Sequence, residues 1–227
     1  MHLTTEQFNT HLKSVIDWNA VARNFDVAFS QEDILRQTEY TAEEVFETIS
    51  ALALNDTIEV IDGICDTFVT LAYKYYQITG KAGFEGTSFL DSNEVLSNIS
   101  ERNLSLIAIA VQLQQFNLFA TTNAQYELAM DALHQTMRYM TDVYTIDMNE
   151  AMTEVMDSNW SKFPEFDDTV DYESECSWIE HYRKKTNVKH SVVDVNGIKR
   201  VVFRDDGGTG KVCKPSTFKE PDLTRLM

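Results

Sequence analysis

The chain has 227 residues, a formal net charge of −17, 43% apolar residues and 24% charged residues. Length and apolar content suit a folded chain that can bury a core. The acidic surplus argues against tracking along a nucleic-acid polymer, which needs a basic surface. No run of about 18 apolar residues is present, and the start, MHLTTEQF, lacks a basic or apolar leader, so neither a membrane span nor a secretory signal is expected. Cys65, Cys176 and Cys213 are odd in number and without C-x-x-C spacing, which points to free thiols in a reducing, cytoplasmic compartment.

All three prolines (Pro164, Pro215, Pro221) lie in the last third, so residues 1–163 are free to run as helices. The first helix is predicted from Thr5 to about Arg23, with Phe8, Leu12, Val15, Ile16 and Val21 on one stripe. Two more are predicted over about 40–54 and 56–79, turning at Asn55-Asp56 and ending at Gly80. These two carry acidic clusters among Val, Ile, Leu, Phe and Ala: Glu43, Glu44 and Glu47 on the first, and Glu59, Asp62 and Asp66 on the second. At about 3.6 residues per turn each set shares one face. Folding the pair back about residues 55–56 sets Glu44 and Glu47 level with roughly residues 64–67, between Asp62 and Asp66. Four or more carboxylates would then converge. Such a cluster repels itself unless neutralised, and hard divalent cations with oxygen ligands do that. The alternative is a pair of solvated helix faces. The apolar surroundings, with no Lys-rich stripe to pair the acids, favour the site.

Residues 80–92 read as a loop, and 103–120 and 124–142 as two further helices. Leu106, Ile109, Leu113 and Phe116 form one predicted seam; Leu128, Met130, Leu133, Met137 and Met140 form the other. The stretch 103–120 is apolar around much of its girth, so it is either a core helix or part of a subunit interface. A helix over 147–158 follows. Residues 163–176 read as an acidic loop and Ser177–Lys185 as a short helix. His190–Val195 and Ile198–Arg204 flank Asn196-Gly197, a two-residue hairpin signal, and the tail from Asp205 reads as irregular. The predicted class is all-α: an antiparallel helical bundle, residues 1–162 with an insert at 81–145, followed by a β-hairpin and tail over 163–227.

The acidic pattern resembles the all-α nucleoside triphosphate pyrophosphatases, the superfamily of MazG, phosphoribosyl-ATP pyrophosphohydrolase and the dimeric dUTPases. Their signature is E-x-x-E on one helix and E-x-x-D on the next. Glu44-x-x-Glu47 fits the first half and Glu59-x-x-Asp62 the second by letter. Asp66, before Thr67-Phe68-Val69, better fits the Asp that precedes an apolar run. A second likeness, to the phage and bacterial branch, is Ser158-Asn159-Trp160-Ser161-Lys162 together with a tail reading Gly210-Lys211-Val212-Cys213-Lys214-Pro215-Ser216-Thr217-Phe218 and Glu220-Pro221-Asp222-Leu223. Trp160 stands where Met is usual and Phe218 where Tyr is usual.

The resemblance implies Glu44, Glu47, Asp62 and Asp66 as ligands, with Glu59 as an alternate, for two or more Mg²⁺ ions that Mn²⁺ can replace. It implies attack of water on the α-phosphorus of a nucleoside triphosphate, a deoxynucleotide by preference, releasing monophosphate and pyrophosphate. Glu43 or Glu47 would orient or deprotonate the water; Asn159, Lys162, Lys211 and Lys214 would hold substrate. It also implies a homo-oligomer, dimer or tetramer. Alternatives are dUTP or dCTP sanitising, phosphoribosyl-ATP hydrolysis, and a non-catalytic acidic metal-binding interaction protein. Other motifs fall away. The run Gly207–Lys211 lacks the first Gly and final Ser/Thr of a phosphate loop, and the five histidines have no zinc-ligand spacing.

Overall fold

In a computed structural model, residues 3–23, 30–86, 99–120, 122–195, 197–206 and 211–227 are described. They are mostly helical, with a small two-stranded antiparallel sheet near the C-terminus, as the all-α class expects. The elements are α1 (Thr5–Ala22), α2 (Gln31–Leu54), α3 (Thr57–Thr79), α4 (Ile99–Phe119), α5 (Asn123–Tyr144), α6 (Met148–Trp160), α7 (Tyr172–Arg183), β1 (Val188–Val195), β2 (Ile198–Asp205) and a short 3-10 helix, Leu223–Leu226. No described helix is long and apolar enough to cross a membrane.

The chain divides into two compact units. One comprises Met1–Ile16, Ala28–Val155 and Asp222–Met227; the other comprises Asp17–Val27 and Met156–Pro221. The expected border at 162/163 falls inside the second unit, where Phe163 is fully buried with Val21, Val193 and Val202.

In the first unit α2 begins about nine residues before the predicted start. Ser30 accepts from the Asp33 amide, and the Asp33 carboxylate accepts in return from the Ser30 amide. That reciprocal cap nucleates a turn which the apolar pattern alone does not mark. Asn55 ends α2 with φ 56°, a left-handed conformation that Asn tolerates, and the Asp56 side chain caps α3 at the Glu59 amide. The reversal at Asn55-Asp56 therefore stands where the sequence puts it. Gly63 lets α2 and α3 approach closely: a Cβ there would lie 2.4 Å from Thr48 Oγ1 and 3.2 Å from Thr48 Cα. Gly63 facing Thr48 sets the register of the two antiparallel helices.

Phe8 of α1 packs edge-on against Phe68 of α3 at 4.9 Å, and Asn9 clasps the Phe84 main chain through both its amide ends. On α5, Met130, Leu133, Met137 and Met140 are buried as predicted. Leu128 is not part of that seam: it is 40% exposed, and Ala129 takes the inward position beside it. Residues 87–98 of the predicted loop and insert lie outside the described residues.

One buried cation stands out in this unit. Lys74 of α3 is 1% exposed and donates to both the main-chain and side-chain oxygens of Asn117 on α4, at 2.6 and 2.9 Å. Burial pushes its ammonium down to about 8 from the usual 10.5. The unfolded chain then binds more protons than the folded one between those values, so Lys74 opposes folding fully below pH 8 and ceases to do so above 10.5. Relative to Lys74→Met, the wild type is expected to gain on the order of 2 kcal/mol as pH rises through that window, read from urea unfolding at its two ends.

In the second unit β1 and β2 pair antiparallel, with Val188 opposite Asp205 and Val195 opposite Ile198. Gly197 has φ +85°, as a tight hairpin turn requires; Asn196 lies outside the described residues. One sheet face, with Val201 and Phe203, buries Tyr172, Cys176 and Ile179 of α7; the other, with Val193 and Val202, buries Phe163 and Val21. Residues 163–176 are not all loop. Asp171 accepts from the amides of Glu173 and Ser174 and so starts α7 at Tyr172, five residues before the predicted start. The tail is less irregular than expected at its beginning: Val212 bridges to Arg204, and the Cys213 amide donates to the Phe203 carbonyl at 2.8 Å.

Candidate functional site

The Gly63–Thr48 approach places Glu44 level with about Thr67 and Glu47 level with about Ile64 on the facing helix. Glu44 is half-buried on α2, and Asp62 and Asp66 are half-buried on α3; Glu43 and Glu47 are more exposed. Burial first, and then the carboxylates of Asp66, Glu47, Asp62 and Glu43 in that order, push the Glu44 carboxyl up from 4.5 to about 8. Five of the six predicted acidic residues thus belong to one electrostatic group with Glu44 at its focus. Full burial, and then the charges of Asp66 and Asp62, push the Cys65 thiol well above its usual value, which makes it a core residue rather than a nucleophile.

Glu59 stands apart. It is exposed in the first turn of α3, and its charge is not among those acting on Glu44. A carboxylate there favours the positive end of the helix, which accounts for it structurally.

The donor set is all oxygen and strongly negative, which suits Mg²⁺ or Mn²⁺ better than softer metals. As the side chains stand, no three His, Cys, Asp or Glu residues among those described are arranged to ligate one ion. The charges gather; the ligating atoms do not yet converge.

The residues expected to hold substrate all belong to the second unit. Asn159, in the last turn of α6, is buried; its carbonyl oxygen accepts from the Trp18 indole N–H at 2.8 Å and its Oδ1 accepts from the Lys162 ammonium at 2.6 Å. Lys162 lies over the Trp18 ring at 5.4 Å and over Phe218 at 5.8 Å. Lys214 lies over the same Phe218 ring at 4.2 Å and pairs with Glu220 at 3.2 Å. Two motifs separated by about fifty residues of sequence therefore meet at one aromatic ring. Lys211 does not join them on that ring; it is exposed, directly after residues 207–210, which lie outside the described residues. Trp160 packs by its face against Arg200 at 5.0 Å and by a T-shaped contact on Phe163 at 6.2 Å.

Trp18 is the residue that sequence reading passed over. It sits on α1, some 140 positions before Asn159, and an aromatic on an amphipathic helix reads as ordinary core. Its place between polar Asp17 and Asn19 is the one signal in the sequence, and it is a faint one.

Comparison of the chain with protein-family models, with curated proteins and with solved structures finds no match.

Proposed function

We propose that this chain is a metal-dependent nucleoside triphosphate pyrophosphohydrolase, built as an antiparallel helical bundle and acting on a deoxynucleotide in the cytoplasm. The observation that carries the reading is the focus of Asp66, Glu47, Asp62 and Glu43 on one half-buried glutamate between two antiparallel helices. A group that dense is destabilising by itself. It becomes favourable when a divalent cation replaces the proton that Glu44 otherwise keeps.

Glu44, Glu47, Asp62 and Asp66 would hold Mg²⁺, or Mn²⁺ in its place, through rotation of their side chains. When bound, the cations would neutralise phosphate charge and acidify water. Glu47, with Glu43 as the alternative, would take the proton from a water whose oxygen forms a bond to the α-phosphorus. The bond to the bridging oxygen of the β-phosphate breaks, and pyrophosphate leaves. Lys162 and Lys214 are the ammonium groups suited to a phosphate chain. Leu118 and Phe119, 49% and 73% exposed on α4, support a homo-oligomer, dimer or tetramer.

The purified chain, incubated with Mg²⁺ and each common NTP and dNTP, is expected to give monophosphate plus pyrophosphate on ion-exchange chromatography. Diphosphate plus phosphate would reject attack at the α-phosphorus. No turnover with Mg²⁺ or Mn²⁺ would favour a non-catalytic acidic protein.

A further inference from the structure

The second unit brings two ammonium groups to one ring, and α1 supplies the residue that holds one of them. Trp18 stacks on Phe163 at 5.4 Å with 24° between the planes, so its indole is fixed. From that position it does two things at once: its N–H donates to the Asn159 carbonyl at 2.8 Å, and its face receives Lys162 at 5.4 Å. Asn159 Oδ1 takes a hydrogen bond from the same lysine at 2.6 Å. Lys162 is therefore set by a ring on α1, an amide on α6 and Phe218 on the tail. Lys214 reaches Phe218 from the tail itself, at 4.2 Å.

Two ammonium groups at one ring repel each other, and the aromatic face together with the Glu220 carboxylate, 3.2 Å from Lys214, offsets that repulsion in part. A lysine stem also gives up rotamer freedom when it is fixed. Such an arrangement is favourable when an anion carrying several charges spans both ammoniums, because the fixing is already done before it binds.

We propose that Trp18 is the positioning residue of an anion subsite in which Lys162 and Lys214 together hold a phosphate chain. The subsite lies wholly within the second unit and is tested without turnover.

Inorganic tripolyphosphate, titrated calorimetrically into the full chain without divalent cation, is the probe. Trp18→Leu is expected to weaken its binding about tenfold, and Trp18→Phe, which keeps a ring but loses the N–H donor, about threefold. In a Lys162→Met background, Trp18→Leu should change affinity less than about twofold, since Trp18 acts through that lysine. A merely structural role would weaken binding by the same factor in both backgrounds, and that result overturns the proposal. So does a wild-type chain that does not bind tripolyphosphate. Should Trp18→Leu fail to fold, the Trp18→Phe and Lys162→Met cycle gives the same reading. Coupling without nucleotide turnover would reject the hydrolase and keep the subsite; turnover without coupling would do the reverse.

Discussion

Glu44→Gln is expected to abolish nucleotide turnover and at the same time to make the protein more stable in alkaline buffer. The Glu44 carboxyl is raised from 4.5 to about 8, so the folded chain holds a proton there that the unfolded chain has lost across that interval. For an acid raised in this way the folded state binds more protons, and stability falls as pH rises from 4.5 to 8. The penalty is absent below the lower value and complete above the upper one. Glutamine carries no charge to desolvate and none for Asp66, Glu47, Asp62 and Glu43 to repel. The variant should match wild type in urea unfolding near pH 4 and exceed it near pH 9 by about 1–2 kcal/mol, once solvent screening of a half-buried group is allowed for. Mg²⁺ should reverse the order: at pH 8 it raises the Tm of the wild type and leaves that of Glu44→Gln nearly unchanged. Equal Tm shifts in both proteins would place the cation elsewhere. Asp66→Asn, the strongest of the neighbouring charges on Glu44, should lower turnover as well.

Gly63→Ala is the other change expected to act strongly, and it acts through shape. The added Cβ would stand 2.4 Å from Thr48 Oγ1, which a rotation could relieve, but also 3.2 Å from Thr48 Cα, which only a shift of the helix can relieve. Thr48 Oγ1 is in addition held by a hydrogen bond to the Glu44 carbonyl at 2.9 Å, so the clash transmits directly to the residue at the focus of the acidic group. Alanine's better helix propensity returns roughly 1 kcal/mol. The net loss should still be about 2 kcal/mol, read from denaturant midpoints. Thr48→Ala in the same chain removes the hydroxyl but not the Cα, so it should recover only part of that loss, with a coupling of about 1 kcal/mol. A Gly63→Ala protein as stable as wild type would mean that the two helices do not depend on this contact for their spacing.

The site divides along the same line as these two tests. The acidic residues were legible because they lie on two consecutive helices joined by a short turn, where about 3.6 residues per turn and the place of the reversal are enough to say which face meets which. Asn55-Asp56 signals that reversal by residue type. Gly63 carries no comparable local signal; its steric role against Thr48 needs both helices in place. Glu59 illustrates the converse, since the letter pattern includes it while helix geometry leaves it in an exposed first turn. The missed helix starts, Gln31 and Tyr172, share a cause. Each depends on a side chain closing onto nearby amides, Ser30 with Asp33 in one and Asp171 in the other, and neither leaves a mark in the apolar pattern.

By itself, then, the sequence determined the helical class, the reversal between α2 and α3, the strand pair around Gly197 and the carboxylates that gather on Glu44. These follow from local periodicity and turn chemistry, which act over a few residues. Only the tertiary structure decided that Trp18 holds Lys162, that Lys162 and Lys214 share the Phe218 ring, and that Phe163 closes the core beneath the hairpin. Those contacts join segments far apart in the chain. No local rule encodes them, because burial and ring packing between distant segments arise only when the chain has folded back on itself.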